Sequence, residues 1–219
     1  MRIYIRYVFY LFVLIQFSFS HAGSYDDYFL AVEKDNALLV SALLQRGFDP
    51  NTVNPKGQAG LLIALRESSL KVVDVLLAHT GTDVEVRTPQ DESPLMLAAL
   101  IGLTEVCERL IARDADVNKP GWTPLHYAAT GGHIEIIQLL LDNHAYIDAA
   151  SPNGSTPLMM AAMFGTPSSV KLLLDAGADV TLKNSLGLTA VDFALNAKRT
   201  ESADILAASI RARNSKGVW

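Results

Sequence analysis

The stretch Thr123-Pro124-Leu125-His126-Tyr127-Ala128-Ala129 recurs along the chain. Ser93-Pro94-Leu95-Met96-Leu97-Ala98-Ala99 precedes it, and Thr156-Pro157-Leu158-Met159-Met160-Ala161-Ala162 follows. Weaker copies sit at Ala59-Gly60-Leu61-Leu62-Ile63-Ala64-Leu65 and at Thr189-Ala190-Val191-Asp192-Phe193-Ala194-Leu195. Marked by the first alanine, the copies at Ala64, Ala98, Ala128, Ala161 and Ala194 are spaced by 34, 30, 33 and 33 residues, and one further step back reaches Ala31. A period of this length requires one supersecondary unit stacked repeatedly, because a single unit cannot bury its own apolar face.

The physical chemistry of one unit follows from its residues. Thr123 can cap a helix with its hydroxyl, and Pro124 fits the first helical position, where no N–H is needed. Ala128 and Ala129 give that helix a low-relief face that a neighbour can approach closely. Gly131-Gly132 stops it, since glycine accepts positive φ at little cost. The second helix, Ile134-Glu135-Ile136-Ile137-Gln138-Leu139-Leu140-Leu141, is apolar over most of its circumference.

On these motifs the chain resembles the ankyrin-repeat proteins. The resemblance implies an all-α solenoid of about six helix-turn-helix units joined by short β-hairpin fingers. The expected repeats are about 26–57, 58–90, 91–120, 121–153, 154–186 and 187–213. Tyr25-Asp26-Asp27-Tyr28 gives the first repeat a wetter outer side, as a terminal cap requires. Lys198, Arg199, Glu201 and Asp204 dilute the last one, and 214–219 reads as a tail. After the second helix the family places a glycine, matched here by Gly47, Gly81 and Gly177. Asp114 and His144 fall at the same position in repeats three and four. Between those two repeats the chain is three residues short, and Trp122 lies beside the shortened finger.

Residues 1–22 stand outside the pattern. Arg2 and Arg6 give a basic start, Tyr7 to Phe19 is apolar apart from Gln16 and Ser18, and Ser20-His21-Ala22 resembles a small-x-small cleavage site. This reads as a secretory signal peptide, with the mature chain starting near Gly23 and localised to the periplasm. The alternative is an uncleaved inner-membrane anchor. A span needs about 20 apolar residues, and this run is shorter.

The chain carries a net charge of −5. Removing residues 1–22 leaves 16 basic against 23 acidic side chains, a net charge of −7. With no Lys/Arg cluster, nucleic acid is not an expected partner, and neither is a membrane surface once the leader is gone. Cys107 is the single cysteine, so no internal disulfide forms.

Chemistry finds little to stand on. His126, His133 and His144 lack the spacing of a metal site, and no Cys/His cluster exists. No nucleophile elbow or phosphate-cradling loop is present. The expectation is a monomeric, non-catalytic module without cofactor or small-molecule substrate, binding a protein partner. Family partners usually lie across the fingers and the exposed part of each first helix. The matching positions are the residue before Thr-Pro and the two after Ala-Ala. They give Glu92, Leu100 and Ile101 in repeat three, Trp122, Thr130 and Gly131 in repeat four, and Ser155, Met163 and Phe164 in repeat five. Corresponding residues in repeats two and six, Arg66, Glu67 and Asn196, are polar. Two readings stand side by side: an apolar recognition patch of Leu100, Ile101, Trp122, Met163 and Phe164, or side chains half-buried between neighbouring repeats.

Overall fold

The computed structural model describes residues 23–216, with side chains through Arg213. The expected signal peptide, 1–22, lies outside the described residues. The chain groups into two compact units, one ending at Pro89 and one beginning at Gln90, where the second and third repeats were expected to meet.

The first unit holds α1 (residues 23–33), α2 (Ala37–Gln45), α3 (Gly60–Arg66) and α4 (Leu70–Ala78). Its core is Tyr28, Val32 and Val40 with Leu61, Leu62, Leu65, Val72 and Leu76, all at most 1% exposed. Tyr28 corrects the reading of the first repeat. Only Asp26 and Asp27 are exposed there, while the Tyr28 ring lies 4.6 Å from Phe48 and its hydroxyl donates to the Pro50 carbonyl (3.1 Å). Burial raises the pKa of that phenol. Gly60 is required beside it, since a Cβ there would lie 2.1 Å from the Tyr28 oxygen.

The second unit holds four helix pairs. The first helices are α5 (Pro94–Ile101), α7 (Pro124–Gly131), α9 (Pro157–Met163) and α11 (Ala190–Asn196). The second helices are α6 (Thr104–Ile111), α8 (Ile134–Asp142), α10 (Pro167–Asp175) and α12 (Thr200–Lys216). α5, α7, α9 and α11 pack in sequence as one layer, and the second helices form the other. The approach in the first layer depends on alanine: Ala98, Ala128, Ala161 and Ala194 are fully buried. α12 continues to Lys216, into the stretch expected to be a tail.

Each Thr/Ser-Pro start closes a reciprocal cap, and so does Thr189 before Ala190. Ser93, Thr123, Thr156 and Thr189 accept the backbone N–H three residues on, and the side chain at that third position accepts the cap's own N–H. Methionine sulfur fills the second role at Met96 and Met159 (both 3.4 Å), an imidazole nitrogen at His126 (3.2 Å) and a carboxylate at Asp192 (2.7 Å). Different atoms thus satisfy the same orphan donor. A fifth box, Thr166-Pro167 with Ser169, starts α10 and replaces the left-handed turn that joins the helices elsewhere.

The fingers are tight turns. Gly154 (φ +75°) closes one through its N–H to Ser151 (2.8 Å), with the Ser151 N–H donating to Ser155 (3.0 Å). No strand forms among the described residues, where the one isolated bridge is Val53 to Ala59. The expected hairpins are therefore too short to carry a ladder. Side chains tie the pairs together instead. The Asn118 amide accepts from the Tyr146 N–H and donates to the His144 carbonyl (both 2.8 Å). In the first unit Asn51 does the same with Asp83 (2.7 Å) and Gly81 (2.8 Å).

The helix ends after the second helices follow the repeat alignment with one exception. Gly47, Asp114, His144 and Gly177 all have positive φ (+86°, +62°, +64° and +100°). Gly81 does not, because α4 ends at an extended His79 and the extra residue beyond it carries the chain round without a left-handed step.

Candidate partner-binding surface

The second unit places most of the sequence-derived positions at the ends of the first helices and in the loops before them. Ile101 closes α5 at 42% exposed, and Phe164 follows α9 at 48% exposed. Leu100, Trp122 and Met163 are half-buried. Two residues of the patch are thus open posts, and three are shoulders half-buried against the stack. Between the posts, α7 presents Thr130 and Gly131. The Thr130 hydroxyl turns back to the His126 carbonyl (2.8 Å). Gly131 has no room for a side chain, since a Cβ would lie 2.4 Å from the His133 ring and 2.6 Å from the Leu100 carbonyl.

Ser155 does not belong to this surface. It is 1% exposed, its carbonyl accepts from the His126 ring (2.9 Å), and its hydroxyl is buried without a hydrogen bond. The finger between α8 and α9 turns it inward, so the residue before Thr/Ser-Pro is half-buried in repeats three and four and fully buried in repeat five. Glu92 is half-buried and accepts from the Tyr127 hydroxyl (3.3 Å).

Lys119, which sequence reasoning passed over, organises the shortened finger. Its ammonium donates to the carbonyls of Pro120 (3.0 Å) and Trp122 (3.1 Å) and pairs with Asp91 (2.6 Å), while the residue is only 6% exposed. One side chain thus satisfies two carbonyls of the shortened finger. Trp122 is held from the other side by the His126 ring, edge-on at 5.2 Å and 77°. Its signal in the sequence is that Lys119 is the one lysine in the shortened finger 116–122.

The histidines serve the fold. His126 is fully buried. Its Nδ1 accepts from the Thr123 N–H, which leaves Nε2–H to donate to Ser155. Burial pushes its pKa down to about 4, against the smaller opposing effect of the carbonyls of Ser155 and Ala149. His133 meets the Leu100 carbonyl through Nε2 (3.0 Å). Among the described residues, no group of three His, Cys, Asp or Glu is arranged to hold a metal ion. Cys107 is fully buried in α6, and burial pushes its thiol up to about 12, which suppresses the nucleophilic thiolate.

Comparison with known proteins gives the same architecture. A family model described as Ankyrin repeats (3 copies) matches residues 28–120, 76–151, 95–184 and 143–215. The human transient receptor potential cation channel subfamily A member 1 is 32% identical over 122 residues, covering 53% of this chain and 11% of that protein. Human neurogenic locus notch homolog protein 2 is 33% identical over 122 residues, covering 54% of this chain and 5% of that protein. A glycerophosphocholine phosphodiesterase of Eremothecium gossypii is 31% identical over 134 residues, covering 57% of this chain and 10% of that protein. The chain thus spans 11% or less of the length of these relatives.

Proposed function

The chain belongs to the ankyrin-repeat family, and from that premise we propose that it is an exported, non-catalytic module that holds a protein partner against the first-helix layer of its second unit. The observation that carries this reading is the pair of exposed apolar side chains, Ile101 and Phe164, at matching turns of α5 and α9. Exposed large apolar groups flanking a dip that glycine keeps open suit capture of a protein side chain or loop. Trp122 precedes the other end of α7, in a loop braced by Lys119, so its orientation is set before any partner arrives.

The mature chain acts in the periplasm, as an inhibitor or immunity protein for an exported toxin or as the companion of a periplasmic enzyme. The basic start and apolar run of 1–22 support export. A second reading keeps 1–22 as an inner-membrane anchor and makes the repeats a tethered scaffold. Among the described residues, no helix is long and apolar enough to cross a membrane. N-terminal sequencing of the exported protein separates the two, with Gly23 expected as the first residue and Met1 pointing to the anchor.

The binding test uses the mature chain as bait in a periplasmic extract, with Ile101→Ser/Phe164→Ser as the paired control. The captured partner should lose roughly thirtyfold in affinity for the variant, the scale of two good anchors. Equal affinity for both forms would remove this face as the binding surface.

A further inference from the structure

The second-helix layer of the second unit carries a surface independent of the one above. Stacking buries Ile136, Ile137 and Leu140 of α8 completely, yet Ile134 is 39% exposed and Leu139 is half-buried. The second helices pack less closely against one another than the first helices do. A groove of about 620 Å³ opens along α6, α8 and α10, with Ile134, Leu139 and Leu172 among its lining residues. Glu108, Glu135 and Asp142 line the same groove. Among the described residues, Glu108 and Glu135 are bonded to no cation, and Lys171, beside Leu172, is already paired with Asp175 (2.6 Å). The corresponding groove of the first unit, between α2 and α4, is smaller at about 370 Å³ and has no carboxylate in its lining. The acidic rim is therefore specific to the second unit and not a by-product of stacking.

We infer that this groove docks a basic amphipathic helix of a protein partner. An apolar floor flanked by carboxylates on neighbouring helices matches a helix that buries leucine-like side chains at i, i+3 and i+4 and directs lysine or arginine outward. The carboxylates reject an acidic helix of the same apolar pattern, so the groove selects by sign of charge as well as by shape. It is lined by the second helices, shares no residue with the first surface, and stands or falls separately from it.

The probe is a synthetic 18-residue helix of leucine and lysine in helical period, with a leucine–glutamate peptide as its counterpart. Fluorescence anisotropy reads binding to the purified chain. The lysine peptide should bind and the glutamate peptide should not. Glu108→Lys/Glu135→Lys should weaken the lysine peptide at least tenfold, and Glu108→Gln/Glu135→Gln should weaken it by a smaller factor. Glu201→Lys/Asp204→Lys on α12 makes the same change in net charge away from the groove and should alter affinity less than twofold. Circular dichroism should show all three variants folded, since every substituted side chain is exposed. An equal loss in the α12 control would reduce the effect to bulk charge and overturn the inference. So would failure of the lysine peptide to bind, or loss of its binding only in Ile101→Ser/Phe164→Ser.

Discussion

His126 shows how one residue can serve a helix cap, an inter-repeat bond and the floor beneath Trp122 at once. The cap needs the neutral ring, because Nδ1 must accept from the Thr123 N–H, whereas the Nε2–H bond to Ser155 survives protonation. Burial holds its pKa near 4, below the ordinary 6.5, so between those values the unfolded chain carries a proton that the folded chain does not. Its contribution is fully present above pH 6.5 and falls away toward pH 4, by on the order of 3 kcal/mol in total. Met96 and Met159 fill the same capping position with sulfur. His126→Met should therefore flatten the pH dependence of urea stability between pH 7 and 4, at a loss of about 1 kcal/mol at pH 7 for the missing bond to Ser155. An unchanged slope would show that the acid sensitivity lies elsewhere. Asp148 is the opposite case. It sits where Asn51 and Asn118 tie neighbouring pairs together, and both its oxygens face the Asp179 N–H (3.0 and 3.2 Å). Burial pushes its pKa up, so its contribution diminishes as pH rises through that value. Asp148→Asn keeps the acceptor, removes the charge, and adds a donor toward the Gly177 carbonyl, as Asn118 donates to His144. It should stabilise the chain at pH 7 by about 1 kcal/mol, read by urea titration, with the advantage shrinking in acid.

At the scale of the helix, ends matter more than interiors. Asp114 and His144 end α6 and α8 with φ of +62° and +64°, where a Cβ costs roughly 1 kcal/mol and somewhat less for Asp and His. Asp114→Gly and His144→Gly should each stabilise the chain by a few tenths to about 1 kcal/mol in urea, against the extra freedom of the unfolded glycine. Loss of stability in both would mean that the left-handed step carries no strain. The alignment placed both residues correctly because a period and a glycine pattern are properties of sequence alone. Gly81 was misplaced because one inserted residue changes the route of the backbone without changing composition. Thr166-Pro167 was overlooked although it is a start signal of the same kind as Thr123-Pro124. The alanine rows and the caps were legible because they depend on neighbours within a few positions. Ser155 and Lys119 were not: whether a finger residue turns inward depends on how the previous finger fills space, which no local pattern encodes. The same limit applied to the patch, where spacing put Ile101 and Leu100 side by side but only packing exposes one more than the other.

Across the whole molecule, stability is a sum over adjacent pairs, so damage at an end should stay there. Leu206 is fully buried in α12, which packs against α10 and α11. Leu206→Ala removes about 2–5 kcal/mol of local packing. Hydrogen exchange should show α11 and α12 losing protection while α7 and α8 keep theirs, and a uniform loss along the second unit would count against additive stacking. The partner's identity was beyond reach of both sequence and fold, because repeats of this kind fix a surface and leave its chemistry to a few side chains. The ties between pairs also set a horizon in the sequence. The bond from Asn118 reaches 26 residues ahead and that between Asp35 and Val72 spans 37. Such short loops close at small entropic cost. On a ribosome, each new pair within a unit would emerge to find its docking face already built behind it. Synthesis and folding can then advance at one pace, from the amino end onward, with little apolar surface left waiting for a distant partner.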